Sequence, residues 1–234
     1  GSSLMKRRHF LALLAGTTTA VLPPLVRARP RQLRIGVVGG GIVGAAIAMY
    51  LAEAGARVTL FEKAGPAMGA TRNSFAWLNA FVADPHYRAL RLASMATYRN
   101  IDRPLGLGIT WGGYLNWARD EIQAAVVREN ADMLASSFPV QWLDASDMVL
   151  LNPELRPGPV SAALFSGIDG HLDPVHVTRC FLDRAVANGA ALRMPAEVRA
   201  LDFAHGRLTR VVTTAGRVPL DRLVEHEYND EQRT

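Results

Sequence analysis

The sequence predicts an α/β fold: a βαβ unit seated in a parallel sheet, with antiparallel strands and further helices in the rest of the chain. Three observations predict it. A β-branched apolar run, Leu33–Val38, opens into a glycine turn and a small-residue helix. A second apolar run, 57–61, follows that helix directly. Further on, strand-like runs flank a helix that opens at Asp173. Two strands joined through a helix pair in parallel, with the helix lying on the sheet.

Taken in order, Leu33 to Val38 has the composition of a strand buried on both faces. Gly39, Gly41 and Gly44 follow at GxGxxG spacing, with Ile42 and Val43 between the last two. Each glycine serves a separate need: the tight turn, the close approach of backbone to a pyrophosphate, and the packing of helix on strand. The helix start then offers unpaired N–H groups and a positive dipole end to phosphate. Ala48 keeps the helix near the sheet, Gly55 ends it, and Arg57 to Phe61 forms the second strand. Glu62 stands at the end of that strand, where a carboxylate accepts hydrogen bonds from ribose hydroxyls. An acid at that place repels a 2′-phosphate, which disfavours NADP. Residues 33–62 therefore read as a Rossmann-like unit for the ADP half of a dinucleotide.

A loop of small and hydroxyl residues runs from Gly69 to Trp77. Asp84 and Pro85 open a helix in which Tyr87, Leu90, Ser94, Tyr98 and Ile101 recur at helical spacing. Gly106 to Trp117 alternates as a strand or hairpin would, and Asp120 to Ser136 reads as an amphipathic helix. Asp173 as N-cap, Pro174 at N1 and Gly189 at the far end frame another helix, followed by a return strand near Ala191. Leu208–Thr213 and Arg217–Val224 read as antiparallel strands about an Ala215-Gly216 turn.

The net charge of +5 is concentrated at the N-terminus: up to Arg34 the basic residues are Lys6, Arg7, Arg8, Arg27, Arg29, Arg31 and Arg34, with no acidic one among them. The remainder carries a slight acidic excess, which argues against a nucleic-acid partner. A single cysteine, Cys180, precludes an intrachain disulfide, and its neighbours Val177, Phe181 and Leu182 make it a small buried hydrophobe. No metal-ligand spacing occurs; His171 and His205 read as surface residues, Asp144 and Asp147 as caps, and Trp111, Trp117 and Trp142 as core. Residues 1–4 read as a scar or read-through. Residues 5–28, with Lys6, Arg7 and Arg8 before the apolar stretch Phe10–Leu22, have the layout of a twin-arginine-like signal. That stretch is too short for a stable membrane span. Export to the periplasm is expected, with a cytoplasmic or signal-anchored location as the alternative.

From the glycine turn onward the chain resembles the FAD-dependent oxidoreductases of the D-amino-acid oxidase type, which include glycine and sarcosine oxidases and D-amino-acid dehydrogenases. Three places carry the resemblance: the fingerprint with Glu62 and Lys63, the loop around Ala70, Thr71, Arg72, Asn73 and Ser74, and the run Gly170-His171-Leu172-Asp173-Pro174. The resemblance implies FAD, with the loop's amides and the hydroxyls of Thr71 and Ser74 along the diphosphate and ring, and the Val198 backbone against the adenine. Asn73 stands where some relatives attach the flavin through histidine, which implies non-covalent FAD. It assigns residues 33–100 and 165–224 to a discontinuous FAD-binding domain and residues 101–164 to a partial substrate lobe.

The activity implied is oxidation of the C–N bond of an amino acid or secondary amine to an imine, and the partner is that small molecule. Catalytic residues are not assigned, although Tyr114 and Arg72 could contribute to a substrate clamp. The family pattern also implies further chain beyond Val224, whereas residues 225–234 are polar, so a C-terminal truncation is expected. Two alternatives stay open on the sequence: a truncated non-catalytic dinucleotide-binding protein, and an NAD-dependent dehydrogenase.

Overall fold

The computed structural model describes residues 32–225, apart from residue 136 and the side chain of residue 133. The expected scar, signal segment and residues 226–234 lie outside the described residues. In chain order the elements are β1 (Arg34–Val38), α1 (Ile42–Glu53), β2 (Arg57–Phe61), β3 (Trp77–Leu78), α2 (Pro85–Leu105) and β4 (Tyr114–Ala118). There follow α3 (Glu121–Ala135), β5 (Gln141–Trp142), α4 (Ala145–Leu151), β6 (Ala162–Ser166), β7 (Gly170–His171) and α5 (Pro174–Ala187). The chain then forms β8 (Ala191–Arg193), β9 (Val198–Ala204), β10 (Arg207–Thr213), β11 (Gly216–Pro219) and β12 (Arg222–Glu225).

The main sheet is parallel, in the order β12-β1-β2-β8. Its central strands carry the predicted apolar runs, and Val37, Val58, Leu60 and Phe61 are almost wholly buried. One face is covered by α1 and α5. Ala45, Ala48 and Ala52 of α1 bring its backbone close, while Val177, Phe181 and Leu182 of α5 complete the core. Gly55 takes φ +85° just past the end of α1, as expected of a C′ glycine. The other face is covered by the antiparallel sheet β9–β10–β11, through Val211, Val218 and Leu220 packed on Phe61.

The inserted lobe is built on the antiparallel sheet β4-β6-β5, against which α3 packs through Ala124, Val127 and Ala131. The α/β architecture with an antiparallel α+β insertion thus agrees with the sequence reading. Asp144 caps α4 in a reciprocal capping box with Asp147, and both behave as caps. Asp173 caps α5, accepting from Val175 N at 2.8 Å and His176 N at 3.0 Å.

Several expectations are corrected. The buried side of α2 is Arg88, Met95, Tyr98 and Ile101, while Tyr87 and Leu90 face solvent. Arg88 displaces the expected stripe because its guanidinium donors are satisfied by Val82 O, Ala83 O and Ser137 Oγ. Of the run 106–117 only residues from Tyr114 onward form strand; the glycines at 106, 108 and 113 take positive φ and turn the chain instead. Arg217–Val224 divides into β11, antiparallel to β10, and β12, parallel to β1. The divide falls after Pro219, where Asp221 turns to Arg34 and draws the chain into the main sheet. Trp142 is half exposed on the short strand β5 rather than core. Cys180 is only partly buried, its Sγ 3.5 Å from His176 Nε2, with the thiol pKa pushed up by desolvation and then by Asp183. Glu225 closes β12 instead of beginning a tail.

Candidate dinucleotide site

β1 delivers the chain to Gly39, which takes φ +103° and donates its N–H to Phe61 O across the end of β2. That bond closes the turn onto the neighbouring strand. Gly44 is buried against the same turn: a Cβ there would sit 2.0 Å from Gly39 O. Only glycine allows the helix this approach. Gly41 is the N-cap of α1, extended at φ −78° and ψ 177°, with no capping side chain of its own.

The missing cap comes from the loop. Thr71 Oγ1 accepts the Ile42 N–H at 3.1 Å, which leaves the hydroxyl free to donate to another group. Among the described residues, the amides of Gly41, Val43 and Gly44 have no protein acceptor, although Gly44 is buried. Three unpaired amides and the positive end of the helix dipole thus lie at the glycine turn, with the Thr71 hydroxyl beside them. This is the donor set of an anion site, and it fits the diphosphate of a dinucleotide.

Glu62 is held on both carboxylate oxygens: Oε2 accepts Gly40 N at 2.6 Å and Oε1 accepts Ala64 N at 2.8 Å. It thus binds the glycine turn to the start of the loop, while its remaining lone pairs stay free for hydroxyl donors. Ala196 N donates to Glu62 O at 2.7 Å, and Ala67 N to Gly40 O at 2.9 Å. Through Ala196 the segment leading to Val198 at the head of β9 lies beside Glu62. Gly39, Gly41, Ile42, Gly44 and Thr71 are therefore in direct contact, and Glu62 joins them through Gly40. Val43, Lys63, Ala70, Arg72, Asn73 and Ser74 are exposed around them. Ser74 Oγ accepts Ala76 N at 2.9 Å, which commits its oxygen to the loop. The spacing pattern passed over Gly40, whose amide anchors Glu62; a glycine between the fingerprint positions was its only signal.

Beyond the loop, Trp77 lies against Tyr114 with ring centres 4.7 Å apart and planes tilted by 37°, and Phe81 lies 4.9 Å from Tyr114. Beneath them Asp169 is fully buried, accepting from Ser166 Oγ at 2.6 Å and Trp77 Nε1 at 2.9 Å. Desolvation raises the Asp169 pKa, against the opposing hydrogen bonds. Burial, followed by the Asp169 charge, raises that of Tyr114. His171 and His205 are exposed, and no metal-binding cluster occurs among the described residues. No helix there is long and apolar enough to cross a membrane. Two clefts of about 600 Å³ lie elsewhere, one beside Phe81 and Glu129 and the other along β9 and β12.

Residues 34–224 match the family model described as FAD dependent oxidoreductase. Mitochondrial dimethylglycine dehydrogenase of Mus musculus is 26% identical, over 94% of this chain and 25% of its own length. Glycine oxidase of Bacillus licheniformis is 28% identical, over 80% of this chain and 52% of its own. The structure of glycine oxidase from Bacillus cereus superposes with a TM-score of 0.76 at 23% identity, covering 83% of this chain and 55% of that one. The chain thus spans from a quarter to about half the length of these relatives. With the parallel sheet, the glycine turn and this match in agreement, the chain belongs to the FAD dependent oxidoreductase family.

Proposed function

We propose that this chain holds FAD non-covalently and supplies the cofactor-binding part of an oxidoreductase that oxidises the C–N bond of an amino acid or secondary amine. The observation that carries the reading is the set of partnerless amides at Gly41, Val43 and Gly44, completed by Thr71 and by Glu62 on the ribose side. Family membership removes the NAD-dependent alternative. The substrate class rests on relatives named as glycine oxidase, monomeric sarcosine oxidase and dimethylglycine dehydrogenase.

FAD, when bound, supplies the two-electron acceptor for an amine that leaves as an imine and hydrolyses in water to an oxo compound. The chain's own residues bind and orient. The α1 amides and the Thr71 hydroxyl hold the diphosphate, Glu62 accepts from the ribose, and the Val198 backbone lies towards the adenine. The loop through Ala70, Arg72, Asn73 and Ser74, with neighbouring Lys63, borders the rest of the cofactor. Tyr114 and Arg72 are the candidates on this chain for meeting a substrate carboxylate. The leader is assigned to export by a twin-arginine-type route; a fusion of residues 5–32 to a reporter that stays cytoplasmic would contradict it.

The test is titration of the purified chain with FAD, followed by anaerobic addition of glycine, sarcosine, dimethylglycine, proline and D-amino acids. Saturable quenching of flavin fluorescence and bleaching by one of these amines are expected. Absence of FAD binding removes the reading. Binding without bleaching by any amine favours the second one, a non-catalytic FAD-binding chain.

A further inference from the structure

Asp169 is the one carboxylate among the described residues with no exposed surface, and nothing in the cofactor site accounts for it. It lies between β6 and β7 and reaches three elements at once. Oδ1 accepts from Ser166 Oγ of β6, Oδ2 accepts from Trp77 Nε1 of β3, and its backbone oxygen accepts Gly113 N just before β4. A buried carboxylate is costly unless its oxygens are satisfied, so its presence here marks a geometry that the fold holds firmly.

The held group is Trp77. Its indole is fixed at the nitrogen by Asp169 and flanked by the tilted ring of Tyr114, and Phe75 meets it edge-on at 6.5 Å. Immediately before it, Ala76 sits at φ +55°, a left-handed conformation that a residue with a Cβ adopts only when its surroundings impose it. Ala76 N donates to Ser74 Oγ, Leu172 N donates to Ala76 O, Trp77 pairs with His171 across β3 and β7, and the Trp77 indole, the side-chain restraint nearest Ala76, is pinned by Asp169. The same strained exit leaves the Phe75 ring 89% exposed on the loop that begins at the diphosphate site.

We propose that Asp169 is a positioning residue: by fixing the Trp77 indole it holds Ala76 in its strained conformation and so sets the course of the loop 69–76 beside the cofactor. The inference rests on the reading of that loop as the segment bordering FAD. It makes a link between the inserted lobe, which supplies Ser166 and Tyr114, and the cofactor-facing loop, with Asp169 and Trp77 as its two members.

The test uses trypsin cleavage after Arg72, which is exposed in the middle of the loop, scored against cleavage after exposed Arg119. In the whole chain without FAD, Asp169→Asn and Trp77→Phe are each expected to raise cleavage after Arg72 about tenfold, the change that follows loss of a hydrogen bond to a charged group. The double variant is expected to match either single one, because both act on the same contact. Ser166→Ala, which spares the Trp77 bond, is expected to stay within about twofold of the parent. Should Asp169→Asn fail to fold, Trp77→Phe alone decides. Unchanged Arg72 cleavage, additive effects, or a Ser166→Ala effect equal to that of Asp169→Asn would overturn the proposal. A second arm adds FAD: if it fails to protect Arg72 in the parent while Asp169→Asn still loosens the loop, the cofactor reading fails and the positioning role stands. Protection in the parent with no effect of either variant is the reverse case.

Discussion

Replacing Gly44 by alanine tests the geometry of the diphosphate site most directly. The added methyl would lie 2.0 Å from Gly39 O and 3.1 Å from Gly39 C. The first of these falls far inside the 3.4 Å at which ordinary contact begins. Both atoms are backbone, so no side chain can swing away; α1 must retreat from the turn or the turn must open. Overpacking of this kind costs about 1–3 kcal/mol. For a chain of this size it lowers Tm by roughly 2–12 °C. The same displacement moves the amides of Gly41, Val43 and Gly44, so the FAD dissociation constant is expected to rise by roughly ten- to a hundredfold. Gly39→Ala is the matched control. Its Cβ would meet nothing within 4 Å, and its penalty comes only from φ +103°, about 1–2 kcal/mol by analogy with other left-handed conformations. Calorimetry gives the first quantity and flavin fluorescence titration the second. Parental Tm and parental FAD affinity in Gly44→Ala would refute the argument that close approach of helix to turn builds the site.

Thr71→Val keeps the shape of the side chain but strands the Ile42 amide, and is expected to weaken FAD about tenfold by the same titration, whereas Thr71→Ser retains affinity within about threefold. Asp221→Asn removes the charged partner of Arg34, which donates from Nη2 at 2.8 Å, Nε at 3.1 Å and its backbone N at 3.0 Å. This pair holds Arg34 above its ordinary pKa, and urea unfolding of the variant is expected to show a loss of about 1–2 kcal/mol. Backbone amides hold Asp144 and Asp173 below the ordinary 3.8 in the folded chain. Their contribution to stability is therefore full above that value and is lost as pH falls through the folded pKa values. Urea midpoints between pH 5 and pH 3 should fall less in Asp173→Asn than in the parent. Asp169 has the opposite sign: burial raises its pKa, so its stabilising contribution is present below 3.8 and is lost as pH rises through the raised value. Asp169→Asn should flatten that part of the profile.

The dinucleotide unit was legible in the sequence because each of its parts is governed by local rules. Gly39, Gly44 and Gly55 answer to backbone geometry, and Asp173-Pro174 to capping, so spacing alone located them. What the sequence hid depends on partners far along the chain. Arg88 is buried because the carbonyls of Val82 and Ala83, and Ser137 across the fold, receive its donors; periodicity reads an arginine there as solvent-facing. Thr71 was expected to meet the cofactor through its hydroxyl, but that its oxygen also serves as the cap of α1 is a contact between residues 29 apart. β12 was read as the continuation of β11, since apolar alternation does not distinguish a strand that stays in its hairpin from one that crosses to another sheet. Asp169 gave no signal in the sequence, because its partners Ser166, Trp77 and Gly113 are brought together only by the fold.

The pairing of β1 also sets how the chain comes to be folded. One neighbour of β1, β2, is complete by Phe61, but the other side waits for Asp221 and β12, across a separation of 187 along the chain. Loop closure over such a distance is slow, and one edge of β1 has no partner until nearly all of the described chain has been made. At ribosomal rates that interval is roughly 10–40 s. During it, a central strand of the main sheet displays a row of open backbone groups beside Ile35 and Val37. Nascent chains arrested before residue 222 should therefore engage chaperones at β1, and those arrested once β12 has cleared the ribosomal exit tunnel should release them.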